Sequence, residues 1–198
     1  MTQDEIARQK ATLRKEVRQR LASLSQAEIA RQSALACERV CALIAYQCAD
    51  TILAYKALPR ECDPAGIVEH ARLRGKRVAF PLCGPGNTLR LYLPLGGEGA
   101  FVRGKYGIWE PNPANCQEIS PLELNLVLTP LVAFDAACAR LGQGGGYYDR
   151  LLRQTTAQRV GLALEEQRVE SIPVDAYDVP LQAVVTASAC FARGDILK

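Results

Sequence analysis

The stretch RLGQGGGYYDR, residues 140–150, places Gly142, Gly144, Gly145 and Gly146 within five positions. Arg140 precedes them and Tyr147, Tyr148 and Asp149 follow. A backbone without side chains can approach an anion closely, and amide N–H groups of a loop entering a helix donate to phosphate oxygens. No lysine follows as in G-x-x-x-x-G-K-[ST]. Tyr147 stands where G-x-G-x-x-G ends in glycine. The pattern points to an anion or nucleotide cradle, weighed against a plain turn that needs positive φ. Arg140 can pair with phosphate. Asp149 can hold magnesium against the same phosphate, or can simply sit in a first helical turn where the dipole favours it.

The chain around this stretch has 198 residues, 48% of them hydrophobic, which suits one globular domain with a sizeable core. Its formal charge of +3 argues against a nucleic-acid coat and allows a local basic pocket. The eight cysteines form no C-x-x-C pair and read as reduced thiols of a cytoplasmic protein. No signal peptide, membrane span or repeat is expected. His70 is the single histidine, expected at the surface, which excludes a multi-histidine metal site. Catalysis is left to carboxylates, cations, backbone amides or a hard metal ion.

The elements that must position these groups follow from periodicity. Residues 4–23 predict an amphipathic helix with Ile6, Leu13, Val17, Leu21 and Leu24 in one stripe. Along its edge Lys10, Arg14 and Arg18 form an i, i+4 row able to reach over a pocket, the alternative being snorkelling side chains. That alternative is kept for Arg18. Ser25 to Glu28 reads as a capping box opening a helix over 26–46. TILAY, a helix after Asp63-Pro64, and KRVAFPL make a strand–helix–strand unit with a parallel pair. TLRLYLPL alternates like a strand with one polar face. Residues 96–118 read as a long connection. LNLVLTPLVAF reads as one buried strand running into the glycines, then come a helix at YYDRLLRQ, a strand at RVGLAL, a loop over 171–181, a last strand at AVVTAS and a tail. The fold expected is a three-layer α/β/α domain with a largely parallel central sheet and its ligand outside the strands' carboxyl ends.

TPLVAFDAACARLGQGGGYYDRLL closely resembles the signature of the 5-formyltetrahydrofolate cyclo-ligase (5,10-methenyltetrahydrofolate synthetase) family. KATLRKEVRQRLASLS, LPRECDP, KYGIWEP and IPVDAYDVPLQAVVT are similar to four further elements of that family, in the same order. The resemblance spans almost the whole chain, 1–198, as a single domain. It implies a fold similar to the sugar-phosphate isomerase and CoA-transferase group. It also implies ATP-dependent conversion of 5-formyltetrahydrofolate to 5,10-methenyltetrahydrofolate, with ADP, phosphate and Mg2+.

Carried over residue by residue, the resemblance implies ATP contacts at Lys10, Arg14, Arg140, Gly142, Gln143, Gly144, Gly145, Gly146, Tyr147 and Tyr148. Lys10 and Arg140 are implied as the catalytic cations. Folate contacts are implied at Glu61, Lys56, Tyr106, Trp109, Gly144 and Tyr148, and magnesium ligands at Asp149 and Asp178. Lys56 and Gln143 depart from the family in residue type, and Cys138-Ala139 stands where the family often has glycine. Asp63 is expected to cap its helix, and Asp135 to orient the glycine loop. A monomer is expected, with a small-molecule folate substrate, possibly polyglutamylated, and with neither nucleic acid nor membrane as partner. Two other classes are weighed: a non-catalytic folate- or nucleotide-binding relative, and a small-molecule kinase.

Overall fold

The computed structural model describes residues 2–96, 99–104 and 107–193. Helix α1 (Gln3–Ala22) begins at a reciprocal capping box: Glu5 N–H donates to Thr2 Oγ1 and Thr2 N–H to Glu5 Oε2. Its inward face buries Lys10, Val17 and Leu21. Ser25 caps α2 (Gln26–Ala42), but the expected box is only half made. The Glu28 carboxylate turns to Arg31 and Gln32 instead. The predicted single helix over 26–46 breaks at Leu43, whose backbone is extended, before α3 (Ile44–Gln47). The break turns Tyr46 into the core, where its hydroxyl meets His70 Nδ1 at 2.6 Å. His70 is therefore half-buried, not a free surface residue.

Strand β1 (Thr51–Leu53) leads through a loop to α4 (Ala65–Leu73) and β2 (Arg77–Cys83). Asp63 sits one position outside the helix cap, with Oδ1 accepting from Ala65 N–H. Then come β3 (Leu89–Pro94), β4 (Phe101–Arg103), β5 (Trp109–Pro111), β6 (Cys116–Ile119) and β7 (Leu126–Thr129). The short hairpin β8 (Ala133–Phe134) and β9 (Arg140–Leu141) precedes α5 (Tyr147–Leu152). β10 (Gln158–Leu162), β11 (Ala183–Val185) and β12 (Cys190–Ala192) follow.

Eight strands form one sheet in the order β12-β11-β10-β7-β1-β2-β3-β6. The pairings β11–β10, β10–β7, β7–β1 and β1–β2 are parallel, and those at either edge are antiparallel. Side-chain alternation sorts the core into two layers. Ile52, Val78, Leu126, Leu128, Ala183 and Val185 face α1, α2 and α4. Leu53, Ala79, Val127 and Val184 face α5 and the segment before the glycines. The three-layer α/β reading holds.

Four local expectations are corrected. Tyr92 is buried like Leu91 and Leu93, so β3 has no polar face at its centre. The connection over 96–118 contains the β4–β5 hairpin and the edge strand β6. Its extended stretches are too short for a period-2 pattern to show. The apolar run over 124–134 is not one strand: β7 stops at Thr129, and Pro130, lacking an N–H, ends the ladder. The tail supplies β12.

The sheet order places its switch point between β1 and β7, since the chain winds to one side through β2 and to the other through β10 and β11. Ligands of open α/β sheets bind outside the carboxyl ends at such a point.

Candidate active site

A cavity of about 980 Å³ opens at that point. Its floor is Tyr55 and Lys56 after β1 and Pro130 and Leu131 after β7; its walls are α1, the glycine loop and the β5 region. Its volume lies at the upper end of the range for small-molecule pockets.

The glycine loop closes one side. Two of its glycines answer to conformation: Gly144 has φ +106 and Gly146 has φ +68 as the left-handed cap of α5. A Cβ on Gly144 would also lie 3.5 Å from the Arg14 guanidinium. The positive-φ explanation therefore accounts for Gly144 and Gly146. Cys138, standing where glycine was expected, adopts φ +59. Asp135 does orient this segment: Oδ1 accepts from Ala137 and Ala139 N–H, and Oδ2 from Ile172 N–H.

Arg140 lies beneath the loop, 6% exposed, with Nη2 2.7 Å from Asp149 Oδ1. Val179 N–H donates to the same oxygen at 3.1 Å. Arg140 Nε and the Tyr148 hydroxyl are buried without a hydrogen-bond partner among the described residues, although both residues border the cavity. Buried polar atoms of this kind call for a ligand or water. Burial pushes the Tyr148 hydroxyl pKa well up, so the phenol stays neutral and able to donate.

Lys10 occupies a position on the inward stripe of α1, where an apolar residue would ordinarily pack. It donates to Asp175 Oδ2 at 2.8 Å and to Asp178 Oδ2 at 2.5 Å. Burial works to lower its pKa, but the two carboxylates outweigh that and hold it above the ordinary lysine value. The same pairing holds Asp175 below the ordinary aspartate value. An ammonium has three donors, so one remains for a ligand. Arg14 Nε donates to Gly142 O at 2.8 Å and fixes the loop against α1.

Glu61 arrives from the loop before α4. Arg60, with φ +69, donates to the carbonyls of Leu21 and Leu24 at the end of α1, which anchors that loop. Glu61 Oε2 accepts from Leu58 N–H, and Oε1 from Gln143 Nε2 at 3.4 Å. Burial raises its pKa, with these two donors pulling the other way. Lys56 lies 4.5 Å above the Phe101 ring centroid, and burial lowers its pKa. Trp109 is 49% exposed on the cavity wall rather than an interior anchor. Tyr106 lies outside the described residues.

The structure thus gathers Lys10, Arg14, Lys56, Glu61, Trp109, Arg140, the loop 142–148, Asp149 and Asp178 around one cavity. It adds Asp175, which lies in a quoted motif without having been singled out; next to the cavity, Arg60 anchors the Glu61 loop and Arg18 Nη2 reaches Gln143 Oε1 at 2.6 Å instead of resting on the helix edge. A signal for Arg18 existed in its i, i+4 row; Asp175 showed only as a second acid three residues before Asp178.

A cation-lined glycine cradle beside a carboxylate-and-aromatic wall, at the switch point of a doubly wound sheet, defines an α/β enzyme for an anionic substrate and an aromatic one. The model of the 5-formyltetrahydrofolate cyclo-ligase family matches residues 6–187. The chain is 39% identical over 148 residues to the 5-formyltetrahydrofolate cyclo-ligase of Escherichia coli strain K12, covering 71% of this chain and 79% of that one. It is 33% identical over 177 residues to that of Haemophilus influenzae, covering 85% and 92%. The structure of Aquifex aeolicus 5,10-methenyltetrahydrofolate synthetase superposes with a TM-score of 0.81 at 30% identity, covering 94% and 93% of the two chains. The chain belongs to the 5-formyltetrahydrofolate cyclo-ligase family, whose members are ATP-dependent ligases.

One prediction arises from Glu61. The chain's one tryptophan, Trp109, borders the cavity and reports on its contents by fluorescence. Affinity for 5-formyltetrahydrofolate is expected to rise as Glu61 ionises, through a midpoint above the ordinary 4.5, and to level off at higher pH. Fluorescence titrations of Glu61→Gln are expected to show weak binding without that rise. An unchanged acid limb in the variant would remove Glu61 from folate recognition.

Proposed function

We propose that this chain converts 5-formyltetrahydrofolate to 5,10-methenyltetrahydrofolate with ATP, releasing ADP and phosphate. The formyl oxygen is a poor leaving group. It attacks the γ-phosphorus of ATP, the bond to ADP breaks, and the oxygen becomes a phosphate ester. The N10 lone pair then closes on the activated carbon, N10 loses its proton, and the carbon–oxygen bond breaks to release phosphate. Transfer of this kind needs positioning and charge neutralisation more than a protein nucleophile.

The lining of the cavity supports the following roles. Amides of Gly142 to Tyr148 hold the phosphates, with Gln143 at the loop's edge towards Glu61. Arg140 and the third donor of Lys10 neutralise charge as it shifts from γ-phosphate to ADP. Arg14 shapes the loop from above. Glu61 accepts ring N–H groups of the pterin, and Trp109 offers it an aromatic face, with Lys56 on the same cavity; the part given to Tyr106 rests on the family resemblance alone. The observation that carries this reading is the buried Arg140 under a side-chain-free loop, with Nε and the Tyr148 hydroxyl unpartnered.

Magnesium fits the donor set. Both hydrogen bonds to Asp149 land on Oδ1 and both to Asp178 on Oδ2, which leaves a second oxygen on each. Among the described residues no group of three or more histidine, cysteine or acidic side chains could hold a metal alone. That suits an ion bound by two carboxylates together with phosphate oxygens and water. Bound there, it would offset negative charge on the transferring phosphoryl group.

The protein works as a single-domain monomer in the cytoplasm, on folate with or without a polyglutamate tail. Eight free thiols fit a reducing compartment, and among the described residues no helix is long and apolar enough to cross a membrane. Purified protein with 5-formyltetrahydrofolate, Mg2+ and ATP should develop the near-ultraviolet band of the methenyl product, and none without ATP. Asp149→Ala, folded by circular dichroism, should lose at least about 10²-fold in rate. Saturable folate or ATP binding without that band would instead identify a non-catalytic relative, and a phosphorylated product a kinase.

A further inference from the structure

A loop without side chains can come close to phosphate, and for the same reason it can turn its peptide planes over. The 145–146 peptide lies between two glycines. Flipping it changes ψ of Gly145 and φ of Gly146, and neither residue carries a Cβ to resist. A flipped plane presents a carbonyl oxygen where a phosphate needs an N–H. A cradle of this composition therefore needs an external hold on its peptide planes.

Guanidinium groups face alternate glycines of the loop. A Cβ on Gly142 would lie 3.4 Å from Arg140 Nη1, one on Gly144 3.5 Å from Arg14 Cζ, and one on Gly146 2.8 Å from Arg150 Nη1. Arg14 comes from α1 and Arg150 from α5, so the loop is held from two different elements. Arg14 Nε donates to Gly142 O at 2.8 Å, and Arg150 Nη1 donates to Gly145 O at 2.9 Å. Arg150 N–H also donates to Gly146 O at 3.1 Å, so one residue takes two successive loop carbonyls. The same Nη1 lies 3.5 Å from Asn87 O in the turn between β2 and β3, which ties the loop to the sheet. Among the described residues Arg150 makes no ion pair, although it borders the cavity.

In a trans peptide the N–H points away from the C=O. The two side-chain bonds therefore aim the N–H groups of Gln143 and Gly146 away from the guanidiniums that hold their planes. Among the described residues the N–H groups of Gln143, Gly144, Gly145 and Gly146 donate to no protein acceptor. We propose that Arg150 is a positioning residue for phosphate binding: its guanidinium locks the 145–146 peptide in the orientation that offers the Gly146 N–H to a phosphate oxygen, as Arg14 does for the 142–143 peptide. It acts through the loop, not by touching phosphate. The lock rests on the ATP-dependent reading, and its test separates the two.

Three measurements on the intact protein read the lock: NMR relaxation dispersion of the backbone amides without ligand, calorimetric titration of inorganic tripolyphosphate, and steady-state kinetics. In wild type the Gly145 and Gly146 amides are expected to show no exchange between conformers, and in Arg150→Met they should show it. Tripolyphosphate should then bind about tenfold more weakly, because the competent loop is only a fraction of the population. KM for ATP should rise by the same factor, with kcat and KM for 5-formyltetrahydrofolate within about twofold of wild type. Arg150→Lys keeps a cationic donor and should recover most of the affinity. Unaltered tripolyphosphate affinity in Arg150→Met overturns the proposal. So does weakened binding without exchange at Gly145 and Gly146, which would make Arg150 a direct phosphate contact. A rise in both KM values together with a lower melting temperature also overturns it, and leaves Arg150 a merely structural part. The expected exchange and tripolyphosphate pattern with no methenyl product from wild type would sink the cyclo-ligase reading and leave the lock standing. Methenyl product with an unchanged KM for ATP in Arg150→Met would do the reverse.

Discussion

Arg140→Met is expected to lower kcat/KM for ATP by about 10²–10³-fold, the cost of removing one preorganised charge from a transferring group. The Arg140 side chain is 3% exposed and its partner Asp149 is 23% exposed. Removing the cation strands a half-buried carboxylate, so the variant should also lose about 2–3 kcal/mol, below the figure for a fully buried pair. The two effects separate in a double variant. Arg140→Met with Asp149→Asn no longer carries an unpaired charge and should regain much of the stability in urea, but none of the activity. Arg140→Lys should fall between, since an ammonium lacks the fork that spans Asp149 and a phosphate. Activity that tracks only the folded fraction across these variants would reduce Arg140 to a structural role.

Lys10→Met should cost about 10²-fold in kcat/KM for ATP and change how stability depends on pH. In the wild type, Asp175 titrates below its ordinary 3.8 and Lys10 above its ordinary 10.5. The depressed carboxyl contributes stability that is present above 3.8 and lost as pH falls through its folded value. The raised ammonium contributes stability present below 10.5 and lost as pH rises through its folded value. Between them the contribution is flat. In Lys10→Met the carboxylates of Asp175 and Asp178 face each other without a cation, so the acid-side loss should disappear from melting curves. Lys10→Arg should keep the stability profile better than the activity, because the longer, planar guanidinium cannot hold both carboxylates and also place a charge where the compact ammonium sits. A variant with wild-type acid sensitivity would show that Lys10 does not hold the pair.

Much of this arrangement was legible in residue order. The glycine stretch pointed to an anion cradle or to a turn needing positive φ, and the flanking arginine and aspartate favoured the cradle. The strand–helix–strand unit announced a parallel pair, and the i, i+4 row on α1 announced a cationic edge. These features are local: a period of 3.6 or 2, a cap, a conformation that excludes Cβ. Most element types and the three-layer architecture follow from such short-range rules, while the family resemblance rests on the quoted motifs and their order.

What the tertiary structure decided is non-local. Asp175 and Asp178 stand 165 and 168 residues from Lys10, and no local pattern says that a lysine on an apolar stripe will be neutralised by a distant turn. The 96–118 connection reads as loop because its strands are three or four residues long and gain their hydrogen bonds from partners elsewhere. Likewise, Pro130 splits an apolar run whose hydrophobicity alone suggested continuity. The sequence by itself determined which chemistry the chain can perform. The fold decided which charges meet, because the Coulombic and hydrogen-bond energies that set Lys10, Glu61 and Arg140 depend on distances that only packing supplies.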